Sequence, residues 1–234
     1  MMRTLACSPA RLVSALAVAG GALLAPSLAH AQFDLHDPQT GAEASIHLGY
    51  GAFSNDAAFR NPGSTGSGSL LGSFGMQFFL GYRVIPVLSA GLHGGYNLLA
   101  VRNAMNGQAA DSGAFGIYAR VHVLSFLPRR THTYAGTPDL FIGVGFDFFA
   151  QVKAWDANNN YVQANGLAFP IQVGFNYAIT DNVEVGVLGI AAPWTGPNTC
   201  VRVLGFTTCN SHDAEAEWFL YIGLGVTGHF NFLH

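Results

Sequence analysis

From residue 43 onward, apolar side chains recur at every second position. Ile46, Leu48, Tyr50 and Ala52 alternate with Ser45, His47, Gly49 and Gly51, and Phe74, Met76, Phe78, Leu80 and Tyr82 alternate with Gly75, Gln77, Phe79, Gly81 and Arg83. The same rhythm runs through 88–98, 115–123, 140–150, 167–177, 183–191 and 218–232. A period of two belongs to extended strands whose faces meet different surroundings, not to helices. The pattern predicts eight strands, most of them long. An even number of long alternating strands predicts an all-β, antiparallel, up-and-down barrel. Pro170 removes a ladder donor and predicts a bulge or distortion within the sixth strand.

The connections differ in length. Sharp turns are expected at Ile85–Pro86 and at 180–182, with a longer link at 128–138. Polar, mostly longer loops are expected at 54–69, 101–112, 154–165 and 193–213. Short turns at one end and longer loops at the other are the habit of membrane-spanning barrels. The two strand faces point the same way. One carries no charged residue. The other holds Arg83, Arg120, Asp147, Lys153 and Glu184 together with most strand glycines, among them Gly49, Gly81, Gly116, Gly186 and Gly225. Glycine suits the crowded interior of a narrow barrel, whereas a water-exposed face wants roughly 25–35% charged residues. The apolar face therefore points to lipid and the small, polar face to the lumen. Aromatics at Tyr82, Tyr177, Phe230 and Phe232, and at Tyr50, Phe115, Phe148, Phe169 and Trp218, fall where the two membrane interfaces would lie.

Composition agrees with an envelope protein. Only 10% of the residues are charged and 29 of 234 are glycine, against about 25% and about 7% in soluble domains. The first 31 residues read as a cleaved signal peptide: Arg3 and Arg11, an apolar run at 12–24, then Ala29-His30-Ala31. That run is shorter than the ~20 residues a spanning helix needs. The expected division is 1–31 signal peptide, 32–42 short N-terminal segment and 43–234 barrel, with the bacterial outer membrane as destination. Net charge is −3 and the one lysine is Lys153, so no basic stripe exists for nucleic acid. Export strands Cys7 with the leader and sends Cys200 and Cys209 into an oxidising compartment. A disulfide closing that short loop is expected to contribute on the order of 2–3 kcal/mol. A redox or metal pair would lack the CxxC spacing and have only His212 nearby.

In pattern the chain resembles the small outer-membrane barrel families of OmpA, OmpX and OmpW. The resemblance is strongest over Phe175-Asn176-Tyr177-Ala178-Ile179-Thr180-Asp181-Asn182-Val183-Glu184-Val185, a strand–short turn–strand passage, and over the aromatic last strand, Gly228-His229-Phe230-Asn231-Phe232. The latter is similar to the C-terminal signal read by the outer-membrane assembly machinery, here followed by Leu233 and His234. The resemblance implies outer-membrane lipid and that machinery as partners.

Candidate chemistry sits on the inward face. Arg120 and Asp147 belong to neighbouring strands near mid-height and are expected to pair, because an unpaired charge in a low-dielectric lumen is costly. Arg83 and Glu184, nearer the short-turn end, extend this charge network, which acts either as a structural plug or as a gate in a narrow pore. His47, His93, His122 and His229 share the face without ligand spacing such as HxxxH, so lumen hydrogen bonding is expected rather than a metal site. No cofactor is implied. No catalytic residues are assigned: the outward face holds no His, and Ser211-His212-Asp213 are consecutive, an arrangement that seldom forms a triad. Eight-stranded barrels are usually filled by side chains. The expected function is thus a non-enzymatic barrel serving envelope structure or surface interaction, the latter through an extracellular ligand on the loops. The alternative, suggested by the inward glycines, is a narrow porin-like or OmpW-like conduit for small or apolar solutes.

Overall fold

A computed structural model describes residues 40–53, 70–101, 109–126, 134–155, 161–203, 205–211 and 217–230. The alternating segments form strands β1 (Gly41–Phe53), β2 (Leu70–Leu71), β3 (Ser73–Ile85), β4 (Leu88–Val101), β5 (Ala109–His122), β6 (Pro138–Trp155), β7 (Tyr161–Ala168), β8 (Ile171–Thr180), β9 (Val183–Val203), β10 (Phe206–Ser211) and β11 (Glu217–Phe230). One turn of 3-10 helix, Val123–Phe126, follows β5. The segment expected as signal peptide lies outside the described residues.

All pairings are antiparallel, and β1 pairs with both β3 and β11, which closes the sheet into a ring of eight staves. β7 and β8 together make one stave, interrupted at Phe169–Pro170. Pro170 thus distorts its strand as expected, but the ladder is carried across the break. Gly145 N donates to Pro170 O at 2.7 Å and Phe169 N donates to Pro193 O at 3.1 Å.

Three segments expected as loops are strand over much of their described length: β4 ends at Val101 and β5 starts at Ala109 within the expected 101–112 loop. β6 reaches Trp155 and β7 starts at Tyr161, while β9 continues to Val203 and β10 folds back on it. Polar composition masked this, because strands that rise beyond the bilayer no longer need an apolar face. In the β9–β10 hairpin Cys200 and Cys209 are direct cross-strand partners, joined by a disulfide. Gly205, at φ 87°, takes the left-handed conformation that the tight turn requires.

A second correction comes from a β-bulge. Phe115 pairs with Phe149 but Gly116 pairs with Asp147, so Phe148 is the extra residue. Phe148 and Phe149 both face outward, at 49% and 47% exposure, and Ala150 turns inward. Beyond the bulge the phase is reversed. Lys153, expected in the lumen, stands on the outer face as the register partner of Asp111 and lies 4.6 Å from the Tyr161 ring.

Between the rims the outer surface is a belt of exposed apolar side chains such as Ile46, Leu80, Val144, Ile222 and Leu224. Tyr82, Tyr177 and Phe230 are exposed toward its short-turn end, and Tyr50, Phe115, Phe169 and Trp218 toward the other; Phe232 lies outside the described residues. No helix among the described residues is long and apolar enough to cross a membrane. A surface of this kind is stable only in lipid, which gives a direct test. Leu224→Arg, placing a charge mid-way along β11, is expected to cost about 2–4 kcal/mol in vesicle-embedded protein, read from urea unfolding.

Candidate functional site

The inward positions converge on the lumen, and its two halves differ. At the short-turn end, β3, β4, β5 and β6 bring together Arg83, Ser89, His122 and Asp139, all buried. Arg83 Nη2 donates to Asp139 Oδ2 at 2.6 Å and also touches His122 Nδ1. His122 joins Asp139 Oδ2 through Nδ1 at 2.7 Å and Ser89 Oγ through Nε2 at 3.0 Å. Across the lumen, Glu184 of β9 accepts from Asn176 Nδ2 at 2.6 Å and from the Tyr134 hydroxyl, and lies 3.0 Å from His229 Nε2. Tyr134 comes from the link between β5 and β6. It is held in place because Asp181 in the β8–β9 turn accepts from the backbone N–H groups of Tyr134 and Ala135, at 2.8 and 2.9 Å.

Above these groups a second layer is built around Arg120. Its guanidinium carbon lies 3.9 Å from the ring centre of Phe79, 4.5 Å from Phe141 and 4.6 Å from Tyr118, and Nε donates to Gln172 Oε1 at 2.9 Å. A desolvated cation over aromatic faces gains about 2 kcal/mol. The Tyr118 hydroxyl donates to Glu43 Oε1 at 2.8 Å. His93 stacks on Phe79, 4.8 Å between ring centres, which caps the layer.

The half toward the long loops is different. It contains an open cavity, about 470 Å³ with the solvent space at its mouth counted, whose lining includes Gln77, His93 and Asp147 along with Phe53, Trp194 and Phe219. His93 bridges Asp147 Oδ1 and Gln77 Oε1, both at 3.0 Å. Higher up, Asn97 Nδ2 donates to Ser112 Oγ at 3.1 Å. Small residues at Gly95, Gly113, Ala114, Ala150, Ala168 and Ala192 leave the space open.

No known protein family matches the chain, and no curated protein matches its sequence. Solved structures do. The chain is similar to Neisserial surface protein A, with TM-score 0.51 and 12% identity over 82% of this chain and 97% of that one. It is also similar to the outer membrane protein OprG from Pseudomonas aeruginosa, with TM-score 0.50 and 11% identity over 82% of this chain and 98% of that one. The fold is that of a small outer-membrane β-barrel.

In an outer-membrane barrel the short turns lie on the periplasmic side and the longer loops outside. Arg83 and Glu184 therefore stand at the periplasmic end and the cavity faces the exterior. The structure places Arg120, Asp147, Arg83 and Glu184 all in the lumen and all buried, but it does not join them as expected. Arg120 is the register partner of Gly143, whereas Asp147 is the partner of Gly116. Four residues, about 13 Å along a strand, separate them, so the expected Arg120–Asp147 ion pair is not formed. Arg120 is held by rings and an amide, and Asp147 by His93. His47 and His229 lie on paired strands but face Gly225 and Glu43 respectively rather than each other. Among the described residues no group of three or more His, Cys, Asp or Glu is placed to hold a metal ion.

Several lumen residues escaped the sequence reading, among them Glu43, Ser89, Asp139 and Tyr134. Glu43, Ser89 and Asp139 stand in phase with His47, His93 and Asp147, so carrying the alternation to the strand ends would have found them. Tyr134 has no periodic signal, since it comes from a connection. Ser89, His122 and Asp139 have the connectivity of a nucleophile–base–acid relay. Ser89 is fully buried, Arg83 presses on His122 Nδ1, and Ser89 is not among the residues lining the outer cavity. These hydrogen bonds tie β3, β4, β5 and β6 together across the lumen. The Ser211–His212–Asp213 segment falls partly outside the described residues.

Proposed function

We propose that this outer-membrane barrel is non-enzymatic and non-conducting, serving envelope structure or surface interaction with a lumen blocked at its periplasmic half. The observation that carries this reading is the burial of charge. Arg83 and Glu184, at the periplasmic end, are 0% and 1% exposed. A continuous water path would wet groups that hydrate so favourably. Tyr134 and the Arg120–aromatic layer add further barriers in series. The sealed position of Ser89 supports a non-enzymatic role. The disulfide-linked hairpin supports surface interaction, because it displays Phe206, 81% exposed, beyond the barrel. Outer-membrane lipid is the partner that suits the apolar belt, and β11 is the strand that the insertion machinery would read.

A second reading, a narrow conduit for small or apolar solutes, draws support from the outer cavity. Efflux separates the two. The chain without residues 1–31, refolded into sealed vesicles and checked for heat-modifiable gel mobility, is expected to release no small ionic or sugar probe faster than empty vesicles. Faster release would favour the conduit, and a further rise on replacing Arg120 with Ala would place its constriction at that layer.

A further inference from the structure

We infer that the outer cavity is a binding site for a small organic cation with an apolar, preferably aromatic, body. It lies in a part of the lumen that a closed periplasmic half leaves unused, and it would bind whether or not the barrel conducts.

The wall is shaped to keep the space empty. Without the Phe148 bulge, simple alternation would turn Phe149 into the lumen; with it, Phe149 faces lipid and Ala150 lines the cavity. The irregularities cluster here. Register also slips between Asp147 and Ala150 on the β7 side and between Asn165 and Leu167 on the β9 side, and the stave is broken at Pro170. Bulges concentrate beside functional sites, where they re-aim side chains.

The chemistry of the lining selects the ligand. Phe53 stands 5.2 Å from Phe219 and 5.9 Å from Trp194, ring centre to ring centre, forming an aromatic cluster on one side. Asp147 lies in the same ladder row as Trp194, through Ala168, two strands and hence about 10 Å away. Among the described residues the one group that Asp147 bonds is His93, through Oδ1. Neither arginine of the lumen reaches it: Arg83 is committed to Asp139, and Arg120 to Gln172 and three rings. Lys153 is turned outward by the same bulge that opens the cavity. Asn97 Oδ1, buried at the cavity and without a donor among the described residues, is a second acceptor. A carboxylate and an aromatic cluster lining one cavity can recognise an ammonium group together, by charge from the first and cation–π attraction from the second. An anion would meet Asp147 with no guanidinium or ammonium to offset it.

Phenyltrimethylammonium and its uncharged isostere tert-butylbenzene test this directly. Binding of the cation to the folded barrel in detergent is measured by calorimetry, and the isostere by its power to displace it. The expected result is saturable binding of the cation with at least tenfold preference over tert-butylbenzene. Asp147→Asn, which keeps the shape, is expected to weaken the cation at least tenfold and leave the isostere unchanged. Ala150→Phe, which refills the cavity, is expected to abolish both, with heat-modifiable mobility verifying folding of each variant. Equal affinity for the two probes, an unaltered affinity in Asp147→Asn, or no binding to the folded wild type would overturn the inference. None of these readouts depends on efflux, so failure here is distinguishable from failure of the closed-lumen reading.

Discussion

Replacing Arg83 with Ala is expected to destabilise the folded barrel by about 3–5 kcal/mol, the cost of breaking a buried ion pair from one side. The substitution strips Asp139 of its 2.6 Å donor and leaves a carboxylate that is 2% exposed beside His122 alone. Urea unfolding of the vesicle-embedded protein, followed by tryptophan fluorescence, measures the loss. Arg83→Ala combined with Asp139→Ala is expected to lose less than the two single changes summed, because the second removes the stranded charge. A single variant within about 1 kcal/mol of wild type would mean that water reaches Asp139 and replaces the guanidinium, so that the periplasmic end is wet.

Gly116→Val is expected to cost about 3 kcal/mol, the upper end of the usual range for overpacking, because the atoms it meets cannot move. A Cβ on Gly116 would run into the carbonyl oxygen of Phe146 and the Cα of Asp147. Both are backbone atoms of the neighbouring strand at the bulge, and neither can swing aside. Gly189→Ala is the control: a Cβ there meets only Val173 O, at 3.7 Å, and folding is expected to be unchanged. The fraction of protein showing heat-modifiable mobility after refolding reports both. Normal folding of Gly116→Val would show that β5 and β6 are not in the close register described.

Much of this architecture was legible in the sequence, and what was not has identifiable causes. Period-two alternation is a property of the strand itself, so the two faces, the lipid-facing belt and the lumen positions of Arg83, Arg120, Asp147 and Glu184 follow from it directly. Pro170 announced its own break by chemistry. A bulge has no such marker. Nothing in Asp147-Phe148-Phe149-Ala150 distinguishes an inserted Phe148 from a regular strand, and Lys153 beyond it was assigned to the wrong face. Height in the lumen was equally hidden. Knowing that Arg120 and Asp147 lie on adjacent strands fixes their side but not their register, which depends on how β5 and β6 slide past one another. The strand extensions around Cys200 and Cys209 were obscured because outside the bilayer both faces are polar. Tyr134 was invisible for the plainest reason: it reaches the lumen from a connection, where pattern carries no information.

The proposed barrel crosses the membrane yet is shut by Arg83, Tyr134, Glu184 and the Arg120 layer. The most direct test is electrical. Wild-type barrels are inserted into a planar lipid bilayer in salt solution, with insertion verified by protease protection, and the current is recorded under an applied voltage. A closed lumen is expected to give a baseline with no discrete conductance steps. Reproducible steps from the wild-type barrel would contradict it, because ions would then be passing the periplasmic half that is proposed to be closed.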